Sequence, residues 1–174
     1  MATKSYKAFV KAIADRESSD NYACVNSLGY LGRYQFGMAR LTDLGVAQRK
    51  PGHSGYANSA FDWVEGMTKE KFLSSPALQD KLFDMHVEGH RRRVMKRFKG
   101  HIGKSVKGVH ITLSGMIACM HLLGEGGLRN FLSGKDKADG YGTKASDYVK
   151  LFAGYDIPED LPRVGTVKVF KYVE

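Results

Sequence analysis

A chain of 174 residues with 43% hydrophobic and 26% charged residues has the composition of a folded globular protein, which excludes disordered and collagen-like classes and leaves little room for a separate cofactor lobe. Lys and Arg number 27 against 18 Asp and Glu, a formal net charge of +9, so the expected partner is anionic: nucleic acid, a membrane face or an envelope polymer. Cys24 and Cys119 lie in apolar contexts and are too few for a disulfide framework, no stretch reaches the ~20 apolar residues of a membrane span, and no leader pattern opens the chain. The expectation is one soluble domain over residues 1–174, with a core at 4–155 and an arm at 156–174. Such a protein is made in the cytoplasm and carried outward, if at all, by another agent.

Residues 4–17 place Tyr6, Phe9, Val10 and Ile13 at three- and four-residue steps, which predicts an amphipathic helix ending near Glu17. From Ser18 to Gly37 the chain turns to Ser, Asn, Gly and Tyr, an irregular segment with a short extended piece at Gly29–Tyr34. A short helix should carry Met38, Leu41 and Leu44, and Pro51–Gly55 should loop. Phe61, Trp63, Val64 and Met67 suggest another helical turn or two. Pro76 sits where a helix would begin, and Leu78, Leu82, Met85, Val94 and Phe98 extend it toward Lys99. The apolar run Ile111–Leu123 predicts a central helix stopped by Gly124, Gly126 and Gly127, followed by a short helix at Leu128–Leu132, a loop at Gly134–Gly142 and a last helix at Lys144–Ala153. The alternation in Val164–Val173 predicts a strand or an extended arm. The sum is a mainly α domain with a small irregular or β segment after the first helix.

The informative segment is Glu17-Ser18, followed by Gly29-x-x-Gly32-x-x-Gln35. A glutamate at the end of an amphipathic helix can be held in a partly dry pocket that raises its pKa and keeps a proton available, as a general acid needs. A solvated helix-end carboxylate is the plainer alternative. Two further blocks follow: Ala118-Cys119-Met120-His121-Leu122-Leu123-Gly124-Glu125-Gly126-Gly127, and Asp147-Tyr148-Val149-Lys150 with Phe152 and Tyr155. In this order the four blocks resemble the motifs of lytic transglycosylases and goose-type lysozymes, with the third closer to phage and prophage muramidase-like proteins. The chain departs from the family at His121-Leu122, where the family has Tyr-Asn, so a hydrogen-bonding amide is lost there.

The resemblance implies a lysozyme-like fold and cleavage of the β-1,4 bond between N-acetylmuramic acid and N-acetylglucosamine. Glu17 would protonate the bridging oxygen and then act as base. A transglycosylase closes a 1,6-anhydro ring and needs one carboxylate. A hydrolytic muramidase uses water and usually a second carboxylate, for which Asp20 and Glu125 are the candidates. The single-glutamate pattern is the preferred expectation, in a phage lysis or entry enzyme, with a delivered antibacterial effector as an alternative setting. Ser18, Gln35, His121, Tyr148 and Tyr34 are the expected substrate contacts, and Tyr22, Tyr30 and Trp63 are further aromatic platforms for a sugar.

No cofactor is called for. The spacing His86-x-Glu88-x-His90 departs from the His-Glu-x-x-His pattern and has no third ligand in sight, so no metal is expected. Arg91, Arg92, Arg93, Lys96 and Arg97 form a basic patch expected to meet anionic envelope polymers, with no obligatory nucleic acid and a monomeric chain. A basic binding module without catalysis is the rival class.

Overall fold

Among residues 3–174, which the computed structural model describes, the regular structure is mainly helical: α1 (Tyr6–Ser18), α2 (Met38–Asp43), α3 (Lys69–Leu73), α4 (Pro76–Arg97), α5 (Leu113–Leu132) and α6 (Ala145–Leu151). The strands β1 (Ala47–Arg49), β2 (Phe61–Trp63), β3 (Ser105–Val106) and β4 (Val109–His110) make two antiparallel pairs, β1 with β2 and β3 with β4. No helix is long and apolar enough to cross a membrane among these residues. The chain divides into two units, the first comprising residues up to Ala12 together with Gly89–Asp160, the second Ile13–Glu88 with Leu161–Glu174.

In the second unit, the apolar steps that predict α1 and α2 bury Ile13, Ala14, Met38 and Leu41. The helical turn or two expected across Phe61–Met67 is not formed: Phe61–Trp63 is a strand, and a turn follows it. Phe61 is buried, Asp62 exposed and Trp63 half-buried, a period of two rather than 3.6, and the segment pairs with β1 in the register Ala47 to Trp63, Gln48 to Asp62 and Arg49 to Phe61. Helix α4 starts at Pro76 as expected, and its face carries Gln79, Phe83 and His86 at successive turns. The Phe83 ring stacks on Tyr34 with centroids 4.0 Å apart and planes 12° from parallel. Of the two alternatives for the C-terminal tail, a strand or an extended arm, the strand is not formed. Its residues make a 3-10 turn at Val169–Tyr172, and the final residue Glu174 donates its N–H to Ser75 Oγ at 3.0 Å.

In the first unit, Thr112 caps α5 by accepting the Gly115 N–H at 3.1 Å. As expected, the helical run breaks at Gly124 (φ 72°, ψ −179°), where two helical segments meet at a kink; the second segment runs through Gly126 and Gly127 to Leu132 and so starts earlier than the expected Leu128. Small residues let α5 meet α6: a Cβ on Gly115 would lie 2.6 Å from the Val149 carbonyl oxygen, and Ser114 donates its hydroxyl to the Phe152 carbonyl at 2.6 Å while accepting the Tyr155 N–H at 3.0 Å. Phe9 is buried in this unit against Phe152 and Tyr155. The pair β3–β4 is a hairpin whose two central residues, Lys107 (φ 49°) and Gly108 (φ 76°), both lie in the left-handed region, as a type I′ turn requires.

Candidate functional site

Helix α1 ends at the Glu17-Ser18 pair, and both residues are half-buried. Ser19 (φ 54°) and Asp20 (φ 62°) then reverse the chain, with Ser19 N–H donating to Asp15 C=O at 3.1 Å and Asp20 N–H to Ala14 C=O at 3.0 Å. This closure satisfies carbonyls that would otherwise be orphaned at the helix end. The Ser18 hydroxyl lies 2.7 Å from the Arg33 carbonyl, to which it donates, and its oxygen accepts the Asn21 N–H at 3.0 Å. The first motif is thereby tied to the second.

The second motif is a tight turn. Leu31 and Phe36 exchange both backbone hydrogen bonds at 2.9 Å, and Gly32 donates to Cys24 C=O at 2.7 Å. Gly32 is at φ +80°, and a Cβ there would sit 2.3 Å from Gln79 Oε1. Only glycine fits that position. Gln35, itself at φ 55° and 8% exposed, turns inward, its amide nitrogen donating to Gly32 C=O at 3.0 Å and Cys24 C=O at 3.4 Å. Its Oε1 is buried and has no hydrogen-bond partner among the described residues. The Gln35 amide nitrogen is thus spent on the turn rather than offered outward.

Two residues at the start of α4 hold this turn in place. Gln79 is fully buried; its Oε1 accepts the Arg33 N–H at 2.8 Å, and its Nε2 donates to Tyr22 C=O at 3.0 Å and Phe72 C=O at 2.9 Å. Asp80 accepts the hydroxyls of Tyr22 at 2.8 Å and Tyr34 at 2.5 Å, and pairs with the Arg33 guanidinium at 3.1 Å. Arg33 also pairs with Asp20 at 2.6 Å and bonds the Tyr34 hydroxyl at 2.7 Å. Burial, reinforced by the hydrogen bond to Asp80, pushes the Tyr22 phenol up to about 12 and raises Tyr34 further. Burial works against the charge of Arg33, but its bond to Asp20 and the Tyr34, Tyr22 and Asp80 neighbours hold it above the ordinary value.

The expectation that Tyr34 contacts substrate is corrected by this geometry. Tyr34 is 0% exposed, with its ring stacked on Phe83 and its hydroxyl on Asp80, so it presents no face to a ligand. Asp20 is the counter-ion of Arg33. Among the other aromatic candidates, Tyr30 is exposed and Trp63 half-exposed, whereas Tyr22 gives its hydroxyl to Asp80.

His121, Glu125 and Tyr148 belong to the first unit. His121 is half-buried on α5, one turn before the Gly124 break. Tyr148 is buried on α6, its ring centroid 5.2 Å from that of Phe152. Glu125 lies within 3.4 Å of Arg93 and Arg97 and 3.7 Å of Arg129, three guanidinium groups around one carboxylate. Arg92, Arg93, Lys96 and Arg97 are exposed along the second half of α4, whereas Arg91 is half-buried. His86, Glu88 and His90 are all buried, and His86 Nδ1 accepts from Arg40 Nε at 2.8 Å. Among the described residues no cluster of three or more His, Cys, Asp or Glu side chains is placed to hold a metal ion.

Gln79, Asp80 and the buried role of Arg33 were not singled out from the sequence. Their signal is the helical stripe Gln79-Phe83-His86, which puts a polar side chain in line with two buried rings.

No family model, no curated protein and no solved structure matches this chain.

Proposed function

We propose that this chain is a lysozyme-like glycosidase that cleaves the β-1,4 bond between N-acetylmuramic acid and N-acetylglucosamine in peptidoglycan, with Glu17 as acid and then base. The observation that carries the reading is the Ser18 hydroxyl on the Arg33 carbonyl at 2.7 Å, which joins the helix-end Glu-Ser pair to the glycine turn. A carboxyl group delivering a proton must be held in position while the substrate moves. What supports the reading is the backbone on which Glu17 stands, the last turn of a helix closed by its own cap and tied to the glycine turn through Ser18.

Two contacts favour the single-carboxylate route to a 1,6-anhydro product. Asp20 is engaged by Arg33 at 2.6 Å and Glu125 by three arginines, so each candidate second carboxylate already serves as a counter-ion. On this reading the proton that Glu17 gives to the leaving oxygen is recovered from the muramoyl C6 hydroxyl, whose oxygen attacks the anomeric carbon as the bond to the leaving sugar breaks. The exposed Arg92, Arg93, Lys96 and Arg97 would hold the enzyme near the anionic envelope, with salt-sensitive association.

The test is turbidity loss of purified cell walls with the wild type and with Glu17→Gln. Clearing by the wild type alone is expected, and equal clearing by both removes Glu17 from the chemistry. Mass spectrometry of the released fragments should show anhydro-muramic ends; reducing ends would replace transglycosylation with hydrolysis. If neither protein clears walls and the wild type retards DNA at moderate salt, the binding-module reading takes its place.

A further inference from the structure

The second unit contains an open cavity of about 240 Å³ beside the glycine turn. Its deep residues are Leu31, Met38 and Phe61, each nearly inaccessible to solvent, and the half-exposed Trp63 ring completes an apolar wall. Asn58 also lines it, held by two bonds that leave one N–H and one lone pair of its amide uncommitted: Nδ2 donates to Gly29 C=O at 3.1 Å and Oδ1 accepts the Met38 N–H at 3.1 Å. Those two bonds stiffen the wall between the turn and α2. Gly29 lines the cavity too, and a Cβ there would come within 2.8 Å of Asn58 Nδ2.

Two charges of opposite sign complete the lining, Asp62 and Lys69, both exposed. The two groups form no ion pair with each other or with any other described residue. One Asp62 oxygen accepts the Trp63 N–H at 2.8 Å. The site therefore combines aliphatic and aromatic surface with one unneutralised carboxylate and one unneutralised ammonium group. A neutral sugar can hydrogen-bond to both groups but neutralises neither charge, and a purely apolar ligand would displace their water without compensation, whereas a ligand carrying both opposite charges pairs with each. The complementary ligand is a zwitterion whose ammonium and carboxylate are separated by aliphatic carbons. The volume is just below the ~300–1,000 Å³ of sites for drug-sized ligands, so it suits a single residue or two of a longer molecule.

We infer that this cavity binds the peptide stem of peptidoglycan, taking the aliphatic side chain of its diamino acid between Asp62 and Lys69, with the ammonium on Asp62 and a stem carboxylate on Lys69. The identity of the occupant rests on the proposed function; the zwitterionic character of the site rests on the cavity alone. The cavity is a recognition subsite with no part in bond breaking.

The test uses the sole tryptophan of the chain, Trp63, which lines the cavity and reports on it by fluorescence. The full-length wild-type protein is titrated with the free stem tetrapeptide L-alanyl-γ-D-glutamyl-diaminopimelyl-D-alanine, which carries no glycosidic bond and cannot be turned over. A saturable change in Trp63 emission is expected. Asp62→Asn, Lys69→Gln, and acetylation of the peptide's side-chain amine should each weaken binding at least tenfold, whereas the neutral sugar chitotetraose should leave the emission unchanged. Far-UV circular dichroism of both surface variants should match the wild type. An absent peptide response, equal affinity in both variants, or an equal response to chitotetraose overturns the inference. Wall cleavage without a peptide response removes the cavity and keeps the glycosidase; a charge-dependent peptide response without wall cleavage does the reverse.

Discussion

Replacing Gly32 by alanine should destabilise the protein far more than the same change at Gly45, and the structure supplies the difference. Both glycines have positive φ, +80° and +90°, so both variants place a Cβ in the left-handed region at about 1–2 kcal/mol, partly offset by the lower entropy of the unfolded alanine chain. At Gly45 nothing lies within 4 Å of the new methyl, whereas at Gly32 it would meet Gln79 Oε1 at 2.3 Å and Cδ at 2.9 Å. A flexible side-chain end would usually move aside cheaply. Gln79 cannot, being fully buried and bonded to Arg33 N–H, Tyr22 C=O and Phe72 C=O. Displacing it forfeits three hydrogen bonds at roughly 0.5–1.5 kcal/mol each and strands buried partners, an excess of about 2–4 kcal/mol for Gly32→Ala over Gly45→Ala. Urea unfolding followed by far-UV circular dichroism measures both. Against a total stability of ~5–15 kcal/mol the difference is easily resolved. Adding Gln79→Ala to Gly32→Ala should recover part of the loss, because the obstructing amide is gone. If Gly32→Ala and Gly45→Ala agree within about 0.5 kcal/mol, the clamp by Gln79 is not what holds the turn.

An absorbance titration at 295 nm should show Tyr22 and Tyr34 ionising well above the ordinary phenol range, Tyr22 near pH 12, and Tyr22→Phe should reduce that late fraction. Because their folded pKa values lie above the unfolded ~10, the stability they contribute is present below pH ~10 and is lost as pH rises through the folded values. Asp136 behaves in the opposite sense. Burial raises its pKa, but the Ser146 hydroxyl and N–H, with Lys144 and Lys107 nearby, hold it below the ordinary carboxylate value. Its contribution is therefore present above pH ~3.9 and lost as pH falls through the folded value, so thermal melts of Asp136→Asn should show a flatter acid limb; an unchanged limb refutes the assignment. Glu125→Gln leaves Arg93, Arg97 and Arg129 without their shared counter-ion, and since those side chains are about half exposed the cost should be at most ~1–2 kcal/mol and smaller in 0.5 M salt. A salt-independent loss in chemical denaturation would contradict it.

The helices were legible wherever an apolar stripe met a start signal: Phe9 and Ile13 mark α1, Pro76 opens α4, and the spacing near Tyr148 marks α6. The strands were not, since two- and three-residue elements are too short to establish a period. The Lys107-Gly108 turn lacks the Asn-Gly or Asp-Gly pair that announces a type I′ hairpin. The break at Gly124 was legible, whereas the start of the helical segment beyond it was not, because Gly126 and Gly127 read as further breakers. At the candidate site, Glu17-Ser18 and the glycine turn were visible as a motif. The inward turn of Gln35 and the burial of Tyr34 were not, because both depend on Gln79, Asp80 and Phe83, more than forty positions along the chain. Asp80 in isolation reads as an ordinary solvated helix carboxylate.

Arg33 also sets the susceptibility of this region to proteases. Trypsin needs an extended peptide with a reachable basic side chain, and the chain offers 27 Lys and Arg residues as starting points. At Arg33 the N–H is held by Gln79, the carbonyl by Ser18, the guanidinium by Asp20 and Asp80, and the following residue has no solvent exposure. To be cut there, the chain must first open the whole turn. Digestion should therefore start in exposed loops such as those around Lys50 and Lys135, leaving the segment from Glu17 to Gln35 intact in the longest-lived fragment.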